Sequence, residues 1–156
     1  MKTITKKVHV PVPKKLAFDL FVNRLTNWWP KEYTWSQNKL VEITIDVEPD
    51  GLCTETGPFG FRCDWGRITS ISRNDTISLK WQISPQRVPV PDPDQASDLI
   101  IHFNEPPEGG TDVHLQHLHF ERHGEGSEAY ATAMDSEKGW DYILQCYTTF
   151  TSLQQA

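Results

Sequence analysis

The sequence lacks the features that mark disulfide-rich, zinc-binding and membrane proteins. Its cysteines are Cys53, Cys63 and Cys146, an odd number without CxxC or zinc-finger spacing, which predicts reduced thiols and no disulfide framework. No segment approaches the roughly 18 apolar residues of a membrane span, and the first residues lack the apolar part of a secretory signal. We therefore expect a cytoplasmic protein with no membrane partner.

Positive charge and catalytic motifs are also scarce. Lys and Arg number 15 against 21 Asp and Glu, which gives a net charge of −6. Because nonspecific nucleic-acid binding depends on basic patches, we expect no nucleic-acid partner. The sequence contains no Gly-x-Ser-x-Gly motif, no P-loop and no dinucleotide-binding glycine pattern, so we expect no cofactor and can assign no catalytic residue.

Aromatic residues, by contrast, are abundant. They make up 11% of the 156 residues, and six of them are Trp. A chain of this length fits a single domain, residues 1–156, that buries about 68–70% of its extended surface. The aromatic surface exceeds what a small core needs, which favours an apolar cavity.

The hydrophobic pattern predicts a strand, a helix and then a run of strands. Residues 4–10 alternate as an edge strand does, and residues 16–25 have helical spacing that ends at Trp28, Trp29 and Pro30. Between residues 41 and 121 the period becomes two, and turns divide this region into six strands. Consecutive strands of this kind pair as an antiparallel meander.

The C-terminal third contains a proline-rich loop and an apolar helix. Four prolines between Ser84 and Ala96 predict a surface loop, and long ordered loops are often lids. Ser136 is suited to cap a helix whose apolar stripe begins at Trp140 and continues to Phe150. This helix is the one element large enough to cover the apolar face of a six-strand sheet, so we predict an α+β fold in which a curved sheet grips it.

Several short motifs carry a family resemblance. They are Asn27-Trp28-Trp29-Pro30, Asp64-Trp65-Gly66-Arg67-Ile68, Leu79-Lys80-Trp81-Gln82-Ile83, the segment from Phe120 to Gly126, and Gly139-Trp140. In this combination the chain resembles the SRPBCC superfamily, which includes START and birch-pollen-allergen-like proteins. Within it, the chain is similar to the bacterial branch named after the activator of the 90-kDa heat-shock-protein ATPase.

The resemblance covers nearly the whole chain and implies the helix-grip fold. In that fold a curved antiparallel sheet, in the order strand, helix, six strands and helix, wraps a long C-terminal helix and leaves a cavity beside it. The turn Asp50-Gly51-Leu52 departs from the paired glycine that the family often has there.

The aromatic residues form the candidate ligand site. Aromatic walls with few polar groups are typical of small-molecule pockets, because apolar burial supplies affinity and a few polar contacts orient the ligand. A single Trp more often packs in the core, whereas the whole set favours a cavity. The candidate ligand-binding residues are Trp28, Trp29, Tyr33, Phe61, Trp65, Trp81, His117 and Trp140, with Phe59 beside them.

Four of these tryptophans carry sharper expectations. By strand parity and helix spacing, Trp81 and Trp140 should face each other across the gap between sheet and helix. Trp28 or Trp29 should form part of the cavity wall, with the proline loop near its mouth.

Histidine spacing raises the question of a metal site. His117, His119 and Glu121 would share one face of an unbroken strand, and a His-x-His pair on a strand is a geometry that zinc sites use. Phe120 has the opposite parity, so a bulge near Leu118 and His119 would keep Phe120 in the core and separate the histidines. We therefore expect no metal and interpret His117 as a polar group inside the pocket.

Three hypotheses on function remain open. The first is binding of a small, largely apolar or aromatic molecule without chemistry. The second is a co-chaperone-like interaction domain, with a chaperone or a second copy of the chain (a homodimer) as partner. The third is a cyclase, dehydratase or hydrolase, for which the ionisable candidates are Glu55, Asp64, Arg67, His102 and His117.

Overall fold

A seven-stranded antiparallel sheet dominates the structure, a computed structural model that describes residues 2–154. The strands are β1 (Ile4–Val10), β2 (Glu42–Ile45), β3 (Leu52–Thr56), β4 (Arg62–Ser72), β5 (Thr76–Trp81), β6 (Ser97–Asn104) and β7 (Thr111–Leu118). Their spatial order is β1-β7-β6-β5-β4-β3-β2, so the six consecutive strands form the predicted meander and β1 joins the last of them. The sheet curls into a half-barrel, as predicted.

The α-helices lie in two places, between β1 and β2 and after β7. The α-helices are α1 (Lys14–Val22), α2 (Leu25–Trp28), α3 (Ser127–Asp135) and α4 (Trp140–Ser152), and short 3-10 turns occur at Lys31–Tyr33, Gln37–Lys39, Pro58–Gly60, Pro93–Gln95 and Phe120–His123. Within residues 2–154, none of the helices combines the length and apolar character needed to cross a membrane. The predicted domain, residues 1–156, includes Met1, Gln155 and Ala156, which lie outside the described residues.

The core lies between the sheet and α4. Ile77, Leu79 and Trp81 on β5 are at most 2% exposed, because alternate residues of a strand point to the same face. The stripe of α4 that begins at Trp140 is buried through Tyr147 and covers this face, as expected. Full burial of one large apolar side chain stabilises the fold by about 1.5–3 kcal/mol, so this layer is a main source of stability.

The end of the chain forms two helices, and Ser136 does not cap the second of them as the sequence predicts. Ser136 follows α3, and its hydroxyl donates to the Ala133 carbonyl at 2.6 Å instead of capping α4. Gly139 precedes α4, and a Cβ there would lie 2.2 Å from the Met134 carbonyl oxygen. The tight turn between the helices therefore requires glycine at 139.

Strand β7 ends three residues earlier than predicted. The predicted strand runs to Glu121, but His119 adopts a left-handed φ of 65° and stops the strand at Leu118. This reversal places Phe120 in the core at 0% exposure and separates His119 from His117, which is the outcome expected of a bulge.

We expect Trp140→Ala to lower the free energy of unfolding by about 3–5 kcal/mol, because the indole is fully buried against the sheet. Urea denaturation followed by circular dichroism measures the change. Leu153→Ala is the control at the end of the same helix: its side chain is 72% exposed, so the change should stay within about 0.5 kcal/mol. Equal losses in the two variants would contradict a dry core at Trp140.

Candidate functional site

Four tryptophans meet at the centre of the gap between sheet and helix. Trp81 and Trp140 face each other with ring centroids 5.5 Å apart, as predicted. Trp29 lies 6.1 Å from Trp140 and 6.2 Å from Trp65, again between centroids. All four are at most 9% exposed. Much of the space expected as a cavity is therefore filled by indole rings.

Trp28 belongs to the core beside this cluster. Its ring packs 4.9 Å from Phe21 and 5.1 Å from Tyr147, and its indole N–H donates to the Leu20 carbonyl at 3.0 Å. Trp29, the next residue, reaches the open cleft described below. Of the two tryptophans after the first helix, Trp29 is thus the one in a position to contact a ligand.

An open cleft of about 310 Å³ remains at one edge of the tryptophan cluster. Its size lies at the lower end of the range of ligand pockets, about 300–1,000 Å³. It lies between the end of β5, the residues after α2 and the turn that joins α3 to α4. The lining residues are Trp29, Tyr33, Trp81, Ile83, Arg87, Ala133, Met134, Ser136, Lys138, Gly139 and Ile143.

A second, shallower cleft of about 260 Å³ adjoins the first. Tyr33, Ile83 and Arg87 line both, so the two form one depression with an inner and an outer part. Because Arg87 belongs to the proline-rich segment and Ile83 directly precedes it, that segment lies at the mouth as expected. We call the inner part the cleft and the adjoining part the outer cleft.

Residues 31–39, which we call the strap, form the wall on the α2 side. The Tyr33 hydroxyl donates to the Lys138 carbonyl at 2.6 Å, and the Trp35 indole N–H donates to the Arg87 carbonyl at 2.8 Å. These bonds tie the strap to the turn between α3 and α4 on one side and to the proline-rich loop on the other. The strap therefore holds both walls of the depression in place.

Glu55 anchors the strap from below. The residue is 1% exposed, and its carboxylate accepts from the backbone N–H groups of Trp35 at 3.1 Å and Ser36 at 2.8 Å. Two backbone N–H donors meet the hydrogen-bonding need of this buried carboxylate. Glu55 is thus a structural anchor and not one of the cleft-lining groups.

The other ionisable candidates also lie away from the cleft. Asp64 accepts a hydrogen bond from Thr54 at 2.8 Å, and together with Arg67 it lines a separate depression next to the proline-rich loop. His102 bonds Thr76 at 2.8 Å on an exposed part of the sheet. None of these groups can reach a molecule bound in the cleft.

The two candidate phenylalanines lie on the surface near the β3–β4 turn. Phe61 is 40% exposed, and Phe59 is fully exposed with a left-handed φ of 60°. Neither lines the cleft. Trp65 is buried in the cluster, and its indole nitrogen has no hydrogen-bond partner within residues 2–154.

His117 lies at the start of a buried chain of hydrogen bonds. The Trp140 indole N–H donates to Nδ1 of His117 at 3.0 Å, so that nitrogen carries no proton. In the neutral ring, Nε2 of His117 therefore holds the proton and donates to the Ser97 hydroxyl, 2.7 Å away. The Ser97 hydroxyl in turn donates to Nε2 of His123 at 2.8 Å. The direction of each bond follows from the indole, which can only donate.

The protonation of both histidines follows from this chain. Burial, together with the nearby His123, lowers the pKa of His117 from 6.5 to about 3, and burial likewise lowers the pKa of His123. His117 is 0% exposed and does not line the cleft. His117, which we expected inside the pocket, instead links β7 to α4 through its hydrogen bond with Trp140, behind the pocket wall.

The sequence analysis did not identify Arg87 and Lys138, which make the cleft polar, or Tyr130, which bonds two of its lining residues. Arg87 and Lys138 are exposed residues in turns, where no periodic pattern marks a function. Tyr130 on α3 accepts from the Trp81 indole N–H at 2.7 Å and donates to the Ile83 carbonyl at 2.9 Å. The buried face of α3 was the one available signal for Tyr130.

The cysteines are free, as predicted from their number and spacing. Burial raises the pKa of Cys53 to about 12 and that of Cys63 to about 11. Thiols with such pKa values are poor nucleophiles at neutral pH. The chain therefore offers no activated thiol at these two positions.

Comparisons with solved structures show which proteins share the fold. An anthrahydroquino-gamma-pyrone synthase, solved as a complex, has 26% identity over 96% of each chain and a TM-score of 0.68. A self-sacrificing resistance protein from Micromonospora echinospora has 24% identity over 99% of this chain and 96% of its own, with a TM-score of 0.68. A protein from Staphylococcus saprophyticus has 19% identity over 99% and 93%, with a TM-score of 0.66.

No family model matches the sequence, and no curated protein matches it. The structural likenesses extend over almost the entire chain and confirm the helix-grip fold that the sequence predicts.

The buried state of His117 predicts a specific pH dependence of stability. The folded state keeps the ring neutral down to about pH 3, whereas the unfolded chain takes up a proton near 6.5. Stability is therefore complete above pH 6.5 and falls by about 1.4 kcal/mol per pH unit below it. We expect His117→Gln to remove this part of the slope between pH 6.5 and 4, measured by urea denaturation.

His123 titrates in the same direction and will leave part of the slope in place. His102→Gln, on the exposed sheet surface, is the control and should keep the slope of the parent protein. A slope in His117→Gln equal to that of the parent would show that His117 is not held neutral.

Proposed function

We propose that the chain binds a small, planar, largely aromatic molecule in the cleft. The observation that carries this proposal is the inner wall, where Trp29 and Trp81 meet apolar side chains of α3 and α4. Planar apolar molecules gain affinity from burial against aromatic rings. Because tryptophan rings fill the centre of the fold, only the part of such a molecule that fits in the cleft can be buried.

The fold comparison supports this class of ligand. A protein of the same fold with 26% identity is an anthrahydroquino-gamma-pyrone synthase, a name that denotes a fused-ring aromatic compound. Of the candidate residues, Trp29, Tyr33 and Trp81 are assigned here to ligand contact, while Trp28, Trp65, His117 and Trp140 support the wall from behind. Phe61 has no part in this site.

The same neighbour favours a second proposal, catalysis of a ring closure. The cleft presents the cations of Arg87 and Lys138, which are able to polarise a carbonyl, whereas the Tyr33 hydroxyl is engaged with the Lys138 carbonyl. Turnover of a bound neutral aromatic precursor, lost in Arg87→Gln or Lys138→Gln while the precursor still binds, would support an enzyme. Binding without turnover supports the first proposal.

The resemblance to the heat-shock ATPase activator branch carries an alternative proposal, contact with a chaperone. Phe59 is the surface feature that such a contact would use, because its ring is fully exposed at the tip of a turn. Stimulation of a purified 90-kDa chaperone ATPase, abolished by Phe59→Ser, would support this role. This alternative also places the protein in the cytoplasm, the location predicted from the sequence.

Filling the cleft tests the binding proposal directly. We expect 2-(hydroxymethyl)anthraquinone to quench tryptophan fluorescence saturably in the parent protein, because its rings would lie against Trp29. Ala133→Leu adds an apolar side chain at the cleft lining and should weaken binding by about tenfold or more.

Ala129→Leu is the matched control, one turn earlier on α3, equally exposed and outside the lining. It should bind as the parent does. The proposal fails if the parent shows no saturable quenching, or if the two leucine variants bind the probe equally well.

A further inference from the structure

The charged side chains of the cleft all have one sign. Eleven residues line it, and among them Arg87 and Lys138 are positive and none is acidic. The neighbouring Glu32 lines only the outer cleft, where its carboxylate accepts a hydrogen bond from the Tyr142 hydroxyl at 2.5 Å. This bond lowers the pKa of Glu32, and although Glu32 shares the outer cleft with Arg87, its carboxylate forms no ion pair with Arg87 or Lys138.

Arg87 and Lys138 have no carboxylate within ion-pairing distance among residues 2–154. Seven other Lys and Arg side chains do have one: Lys2, Lys6, Lys7, Lys14, Arg62, Lys80 and Arg122. The chain has 21 acidic residues and a net charge of −6, so acidic partners are plentiful elsewhere. Six further Lys and Arg side chains of the described residues also lack an ion pair, so the exception is the placement: two cations and no acidic residue line one apolar cleft in a chain of net charge −6.

The strap fixes the backbone of both cationic residues. Tyr33 bonds the Lys138 carbonyl and Trp35 bonds the Arg87 carbonyl, at 2.6 and 2.8 Å. Arg87 is further held at a left-handed φ of 65° in the proline-rich loop. The two cations thus extend from opposite walls, on backbones that need not be ordered when a ligand binds, which reduces the entropy cost of binding.

We propose that the ligand is acidic, an aromatic ring system that carries a carboxylate, and that Arg87 and Lys138 bind this carboxylate at the mouth of the cleft. This inference rests on the proposed function, since it adds the charged group to the planar molecule placed against Trp29. Arginine binds carboxylates through two parallel hydrogen bonds, and charge attraction strengthens where protein replaces water. The pairing supplies the orientation that an apolar wall alone does not.

A pair of probes with the same rings tests the charge requirement. Anthraquinone-2-carboxylate and 2-(hydroxymethyl)anthraquinone are titrated into the parent protein at low salt while tryptophan fluorescence is followed. We expect the carboxylate to bind about tenfold more tightly. This preference should shrink as sodium chloride is added, because exposed cations are screened by salt.

Charge-removing variants locate the preference. Arg87→Gln and Lys138→Gln should each weaken binding of the carboxylate by about threefold or more and leave the neutral probe unchanged. Arg87→Lys, which keeps the charge, should retain most of the preference. Lys31→Gln removes an exposed lysine of the strap that lines neither cleft, and it should leave both affinities as they are.

Each result has a defined meaning. Equal affinity of the parent for both probes overturns the acidic ligand and leaves the proposed binding function standing. A parallel loss of both probes in Arg87→Gln and Lys138→Gln also overturns it, since the variants would then have damaged the cleft itself. If neither probe binds the parent, the proposed function fails and the inference fails with it.

Discussion

The buried indole N–H groups set the constraint on which this structure depends. A donor removed from water needs an acceptor, and leaving it unpaired costs about 1–3 kcal/mol. Trp140 on α4 finds its acceptor on β7, and Trp81 on β5 finds its acceptor on α3. Each of these two bonds joins a helix to the sheet, so pairing the Trp81 and Trp140 indoles also fixes the distance between the two layers, whereas the Trp65 indole is left without a partner among the described residues.

That constraint explains why the cleft is small and lies at the edge. Rings packed at centroid distances of 5.5–6.2 Å leave no room for a ligand between Trp81, Trp140 and their neighbours. Beside the cluster, the cleft lies between the turn that joins α3 to α4 and the end of β5. The strap forms the third side of the cleft. The polarity of the cleft is therefore set by the residues that the proline-rich loop and the turn between α3 and α4 expose there.

The architecture could be predicted because it depends on local periodicity. Alternating residues such as Ile77, Leu79 and Trp81 identify a strand and its inner face, and the stripe from Trp140 identifies the helix that covers it. The cleft could not be predicted in the same way, because contacts distant in sequence bring Arg87 and Lys138 to the same cleft. His117 shows the limit most clearly: its burial followed from parity, but its partners Trp140 and Ser97 did not.

The pairing of β1 with β7 has a consequence for how the chain is made. Ile4 lies opposite His117, so β1 has no partner until β7, which follows it by more than 100 residues, has been synthesised. Closing so long a loop is slow, because its entropy must be lost before the contacts are gained. The meander β2 to β7 can assemble from hairpins during synthesis, while β1 waits as an unpaired edge strand exposed to other nascent chains. The charges of Lys7 on its outer face and Lys6 on its inner face lessen the risk of aggregation during that interval.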